Sequence, residues 1–123
     1  CPATVGMARS GPPDSANSQF YLMTGRNDVL NGAYTPFGRV VQGMEAVRAI
    51  KPGDDARDGA VQGEPDRMTR VRTAAALPVG ERPTVRVMDP SSPTFLASVE
   101  TTRAARGTSF NVCDLMPAVE VTP

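Results

Sequence analysis

The chain has 123 residues, with 13 basic and 13 acidic side chains, and it contains neither histidine nor tryptophan. A formal charge of zero leaves no global field to hold a phosphate backbone or an anionic membrane surface, which argues against nucleic acid and membranes as partners. The absence of histidine removes the usual general base of Ser and Cys hydrolases and the commonest metal ligand.

Twelve prolines, 11 glycines and only 5% aromatic residues predict many turns and few long elements. The length is that of one modest domain, able to bury roughly two thirds of its unfolded surface around a core. Thr4 to Arg9 begins with β-branched residues and runs into Ser10-Gly11-Pro12-Pro13-Asp14, a strand followed by a turn. Ser18 to Thr24 is the next strand. Its alternation puts Phe20 and Leu22 on one face and Gln19, Tyr21 and Met23 on the other. Gly25 to Pro36 is polar loop with an Asn31-Gly32 turn signal, and a strand from Phe37 to Val41 follows.

Met44, Val47 and Ile50 sit three apart, which predicts a two-turn helix over residues 43–50, stopped by Pro52-Gly53. Asp54 to Asp66 reads as acidic loop. Its Asp54, Asp55, Asp58, Glu64 and Asp66 mimic a calcium loop superficially. Ala56 stands at the third position and Glu64 comes one residue early, so a solvated loop is the better reading. Met68 to Ala75 alternates as a strand, with Arg70 and Arg72 on a wet face rather than in a nucleic-acid footprint.

A second unit begins near Leu77, where Pro78, Gly80 and Pro83 cluster. Thr84 to Met88 is a strand. Ser92 as N-cap and Pro93 in the first turn open a helix running to about Arg106, with Gly107 as C-cap. Ser109 to Val112 and Val119 to Val121 are short strand candidates. Cys1 and Cys113 cannot make a four-ligand zinc site, and their separation permits a disulfide without arguing for one. No metal site is expected. No apolar stretch approaches the ~18 residues that span a bilayer.

Four separated segments carry a much stronger signal. They are Met7-Ala8 with its turn, Ser18-Gln19-Phe20-Tyr21, Leu30-Asn31-Gly32, and Phe37-Gly38-Arg39-Val40-Val41-Gln42-Gly43-Met44. In order and spacing they resemble the second half of a bacterial cyclophilin-type peptidyl-prolyl cis-trans isomerase. The resemblance covers residues 1–76. It implies a mainly β fold, part of a closed antiparallel cyclophilin-like β-barrel with a short helix, to which residues 77–123 add a small βα appendage. It also implies an isomerase that assists protein folding without a cofactor, with proline-containing peptides or unfolded proteins as partners.

Such an enzyme rotates an X-Pro bond against a barrier of ~18–20 kcal/mol. No nucleophile is needed. A catalyst holds the ring and flanking backbone and stabilises a twisted amide, so a few hydrogen bonds in a dry pocket suffice. By the resemblance, Gln19 is the active-site glutamine that bonds the substrate backbone. Tyr21 and Leu30 line the apolar proline pocket, and Tyr34 supplies a wall with a polar tip. Taken alone, Gln19 reads better as a polar residue on a solvated strand face, and Tyr21 and Leu30 read better as ordinary barrel core; for Tyr34 the plain alternative is an aromatic packing across strands. Ala8 and Arg9 match the segment whose backbone pairs with substrate, so the identity of the Arg9 side chain is expected to matter little, and Ser10 lies beside it as a turn residue. Val29 stands where cyclosporin-sensitive members have Trp, which argues against tight cyclosporin binding.

Nothing before Val5 matches the Phe-His-Arg segment that supplies the family's catalytic arginine. The resemblance therefore implies that the first half of the barrel lies outside this sequence, and that the chain by itself is nearly inactive. The alternative is a non-catalytic proline-peptide binding module; an interaction role led by residues 77–123 ranks third. The bacterial look of the motifs favours a periplasmic over a cytoplasmic location.

Overall fold

A computed structural model describes all 123 residues. Strands β1 (Thr4–Met7), β2 (Phe20–Leu22) and β3 (Pro36–Arg39) form an antiparallel sheet in the order β2-β1-β3. Val5 faces Leu22, Gly6 faces Tyr21 and Met7 faces Phe20. On the other side Thr4 faces Arg39 and Gly6 faces Pro36, with an irregularity between Val5 and Gly6. Pro36 opens an edge strand, where its missing N–H removes no ladder bond. Backbone bonds continue the pairing past the strand ends, from Ala8 N–H to the Gln19 carbonyl (3.0 Å) and from Ala3 N–H to the Met23 carbonyl (2.7 Å).

The 25–35 loop closes on a 3-10 turn, Asp28–Leu30, capped by the Asn27 side chain, which accepts from Val29 N–H. Gly32 takes a φ of 77°, the left-handed turn expected of Asn31-Gly32. Helix α1 (Met44–Ala49) falls where the three-residue spacing places it. Asp54 then caps its own turn: one carboxylate oxygen accepts from Ala56 N–H at 3.0 Å and the other from Arg57 Nε at 2.8 Å.

The strand expected over Met68–Ala75 does not form. Residues 64–73 carry no regular structure, and a 3-10 turn follows at Ala74–Ala76. Alternation supplies two faces but no neighbour, and Met68 and Val71 stay 71% and 76% exposed. Lys51 anchors this stretch at its start, through its N–H to Asp66 (2.8 Å) and its ammonium to the Glu64 carbonyl (2.7 Å).

Strands β4 (Thr84–Val87) and β5 (Val119–Thr122) make a separate antiparallel pair, with Arg86 opposite Glu120. Between them runs α2 (Pro93–Arg106), with Ser92 accepting from Phe95 N–H and Gly107 at the C-cap. The strand expected at Ser109–Val112 is replaced by 3-10 turns at Gly107–Ser109 and Val112–Asp114. A capping box decides it: Asn111 accepts from Cys113 N–H while Asp114 accepts from Asn111 N–H, so the side chains satisfy the backbone locally.

The two sheets are joined by a disulfide, Cys1–Cys113, and by Arg39 Nη1 donating to the Pro117 carbonyl at 3.2 Å. A core of the expected kind is absent. Gly6 is the one buried residue, and the accessible surface is 9468 Å². A compact monomer of this mass exposes about 6,300 Å². The reason lies in the faces: β2 and α1 turn Phe20, Leu22, Val47 and Ile50 toward an open groove that no other element of the chain covers.

Candidate functional site

The sheet sorts the candidate residues onto two surfaces. Tyr21 on β2, Leu30 at the end of the 3-10 turn and Tyr34 before β3 line one cleft of about 240 Å³, together with Cys1, Thr4, Met23, Asn27 and Pro36. Tyr21 and Tyr34 meet edge to face, with ring centroids 5.7 Å apart and planes at 85°, a geometry in which each quadrupole attracts the other. All three are half-buried.

Tyr21 reaches this place because its cross-strand neighbour is Gly6. The ring lies over the glycine, in space that any side chain there would fill. Asn27 and Gly32 fix the loop that brings Leu30 and Tyr34 to the same wall.

Arg9 is held by its side chain as well as its backbone. Its Nε donates to the Ala33 carbonyl at 2.8 Å, its Nη1 to the carbonyls of Gly11 (2.8 Å) and Ser10 (3.2 Å), and its guanidinium stands 5.6 Å from the Tyr34 ring centroid. The planar fork reaches three carbonyls while its face meets an aromatic ring, which a lysine could not do. Ser10 is an exposed turn residue whose N–H bonds the Ser15 hydroxyl at 3.0 Å.

Gln19 and Ala8 lie elsewhere. They line the mouth of the larger groove, about 860 Å³, whose walls include Phe20, Leu22, Val47, Ile50 and Met68. The Gln19 side chain is exposed and makes no hydrogen bond within the chain. Val29 is 84% exposed and outside the cleft. No basic side chain lines the cleft itself.

Sequence reasoning missed one neighbour of the cleft. Cys1 is in its wall, bonded to Cys113 of the far unit. It has no local sequence signal, because its place depends on how the two sheets meet.

The cleft and sheet have relatives. A family model described as cyclophilin type peptidyl-prolyl cis-trans isomerase/CLD matches residues 1–73. The chain is 51% identical over 72 residues to a "Probable peptidyl-prolyl cis-trans isomerase" of Brucella abortus (strain 2308), covering 58% of this chain and 36% of that protein. It is 34% identical over 73 residues to a peptidyl-prolyl cis-trans isomerase of Acinetobacter baylyi, covering 55% of this chain and 39% of that protein. Among solved structures, cyclophilin AquaCyp293 from Hirschia baltica matches with a TM-score of 0.76 at 25% identity, over 98% of this chain and 42% of that one. The chain thus spans well under half the length of these relatives. The structural likeness also runs past residue 73, into the unit that holds α2. With the four motif segments in order and this fold, the chain belongs to the cyclophilin-type peptidyl-prolyl cis-trans isomerase family.

Proposed function

We propose that this chain carries the proline-pocket side of a peptidyl-prolyl cis-trans isomerase that assists protein folding, and that it is nearly inactive by itself. The observation that carries this reading is the convergence of Tyr21, Leu30 and Tyr34 on one cleft, with the two tyrosines edge to face. An apolar wall with two phenol tips suits a pyrrolidine ring and its polar flanks.

In this reading the three residues hold the ring, Ala8 and Arg9 pair with the extended backbone, and Gln19 bonds it from the neighbouring groove. Val29 adds only an outer contact. The sheet completes a closed barrel with the half of the domain that bears the Phe-His-Arg segment, and the open groove beside Phe20 and Leu22 is the face which that half covers. Removing one preorganised donor costs on the order of 10²–10³ in rate, and here the arginine and part of the wall are both wanting.

The second reading is a non-catalytic module that binds proline peptides. It draws on one observation: the cleft has no basic lining residue, and the nearby Arg9 guanidinium is already engaged by three carbonyls. Partners in both readings are proline-containing peptides or unfolded clients. The Cys1–Cys113 bond suits an oxidising compartment such as the periplasm.

The test is isomerisation of an Ala-Pro peptide, followed by exchange spectroscopy, with this chain alone and with a polypeptide supplying the arginine half. The isomerase reading expects acceleration only with both, reduced by Gln19→Ala. No acceleration in the mixture, with peptide still bound, favours the binding module. Strong acceleration by the chain alone refutes the expected inactivity.

A further inference from the structure

The disulfide stands in the wall of the cleft. Cys1 lines it beside Tyr21, Leu30 and Tyr34, and Cys113 comes from the other unit of the molecule. Ala3, a non-glycine residue at φ 67°, turns the chain just before β1, in a left-handed conformation that ordinary side chains avoid. Two ladder bonds hold Ala3 there, its N–H to Met23 and its carbonyl from Val40 N–H, so the turn is fixed by the sheet.

The Cys113 side is equally well held. Its turn is closed by the Asn111–Asp114 capping box, and Asp114 pairs with Arg106 at the end of α2. The Asp114 charge adds only a minor share to the raised Arg26 pKa, behind the Arg26–Asp28 hydrogen bond, and makes no ion pair with Arg26. Little else joins the two units: no buried side chain bridges them, and the Arg39–Pro117 bond is a single contact.

We propose that the Cys1–Cys113 disulfide is a positioning link that holds residues 107–115 against the cleft loop, so that binding of a proline segment there depends on the bond being formed. The proposal rests on the reading of the cleft as a proline pocket. A dithiol would release the link: one thiolate attacks a sulfur of the pair and forms a mixed disulfide, and the second thiolate resolves it. The dithiol loses two electrons and becomes a disulfide, while both cysteine sulfurs take up a proton. With the link open, Cys1 and the segment around Cys113 move independently, and the cleft loop loses its backing.

The experiment compares the full chain oxidised, reduced with dithiothreitol, and as Cys113→Ser, with alkylation and mass measurement to count thiols. The probe is a tetrapeptide with one Ala-Pro bond, titrated against amide shifts. Reduction is expected to weaken its binding about fivefold or more, a coupling of ordinary size, with recovery on reoxidation. Cys113→Ser should match the reduced form and ignore dithiothreitol. Amide exchange at residues 26–34 should quicken by a larger factor than exchange in β1, β2 and β3.

Equal affinity and equal exchange in oxidised and reduced chains would overturn the proposal. So would an equal quickening of exchange in the cleft loop and in the sheet, which would make the bond merely structural. If Cys113→Ser does not fold, the reduced and alkylated wild-type chain answers in its place. Should the oxidised chain bind no proline peptide, the pocket reading fails, and exchange at residues 26–34 alone decides the positioning role.

Discussion

Gly6, the one buried residue of the chain, lies under the ring of Tyr21, and a β-carbon at Gly6 would fall 2.3 Å from both Cζ and the hydroxyl oxygen of that ring. The sequence Val5-Gly6-Met7 thus fixes more than a strand. It reserves the space in which an aromatic wall of the cleft rests, and the edge-to-face contact with Tyr34 follows from that placement. Gly6→Ala should displace Tyr21 and cost about 1–3 kcal/mol, as overpacking usually does. Urea unfolding measures the cost, and the Tyr21 ring resonances should shift with those of Tyr34. An unchanged Tyr21 environment would mean the ring does not depend on the glycine.

Arg9 ties the β1 exit to the cleft loop through Ala33 and Tyr34. Arg9→Ala should destabilise the chain by about 1–2 kcal/mol, the combined size of a cation–π contact and a few exposed hydrogen bonds. Arg9→Lys should recover only part of this, since an ammonium lacks the fork that reaches three carbonyls. The comparison is of urea midpoints for the two variants. Full rescue by lysine would show that charge alone matters there.

The Asp114 carboxyl is held below its ordinary value first by the Arg106 hydrogen bond and then by Asn111 N–H, with burial opposing. A carboxyl whose folded pKa is depressed stabilises the fold at pH values above its ordinary pKa. The contribution disappears as pH falls from about 4 through the lowered folded value. The 107–115 turns should therefore loosen in acid, seen as faster amide exchange there. In Asp114→Asn this acid sensitivity should be largely gone.

The disulfide closes nearly the whole chain, its cysteines standing 112 positions apart. A loop of that length corresponds to about 5 kcal/mol in the chain-entropy account. With so little surface buried, that is a large share of any marginal stability. Thermal unfolding with and without a dithiol should show a clearly lower midpoint for the reduced chain.

Elements with local signals were legible in the sequence. Ser92, Pro93 and Gly107 delimit α2 because caps act within one turn of the chain. Met44, Val47 and Ile50 announce α1, and β4 and β5 fall on their short β-branched runs. Met68–Ala75 failed because a strand needs a partner that periodicity cannot supply. Ser109–Val112 failed because Asn111 and Asp114 satisfy the backbone within the turn.

The candidate site divides in the same way. Tyr21, Leu30 and Tyr34 share a cleft because Gly6 and the Asn27 and Gly32 turns place them there, and the motif spacing already encoded those turns. The placement of Gln19 in the larger groove and of Cys1 in the cleft wall was not legible. Both depend on which faces the chain leaves open and on where its distant ends meet.

The most direct test of the central claim is an amide and methyl shift titration of the oxidised chain with a tetrapeptide bearing one Ala-Pro bond. The account predicts perturbations centred on Tyr21, Leu30 and Tyr34, lost in a matched peptide with alanine in place of proline. Perturbations confined to the groove beside Phe20 and Met68, or equal responses to both peptides, would contradict it.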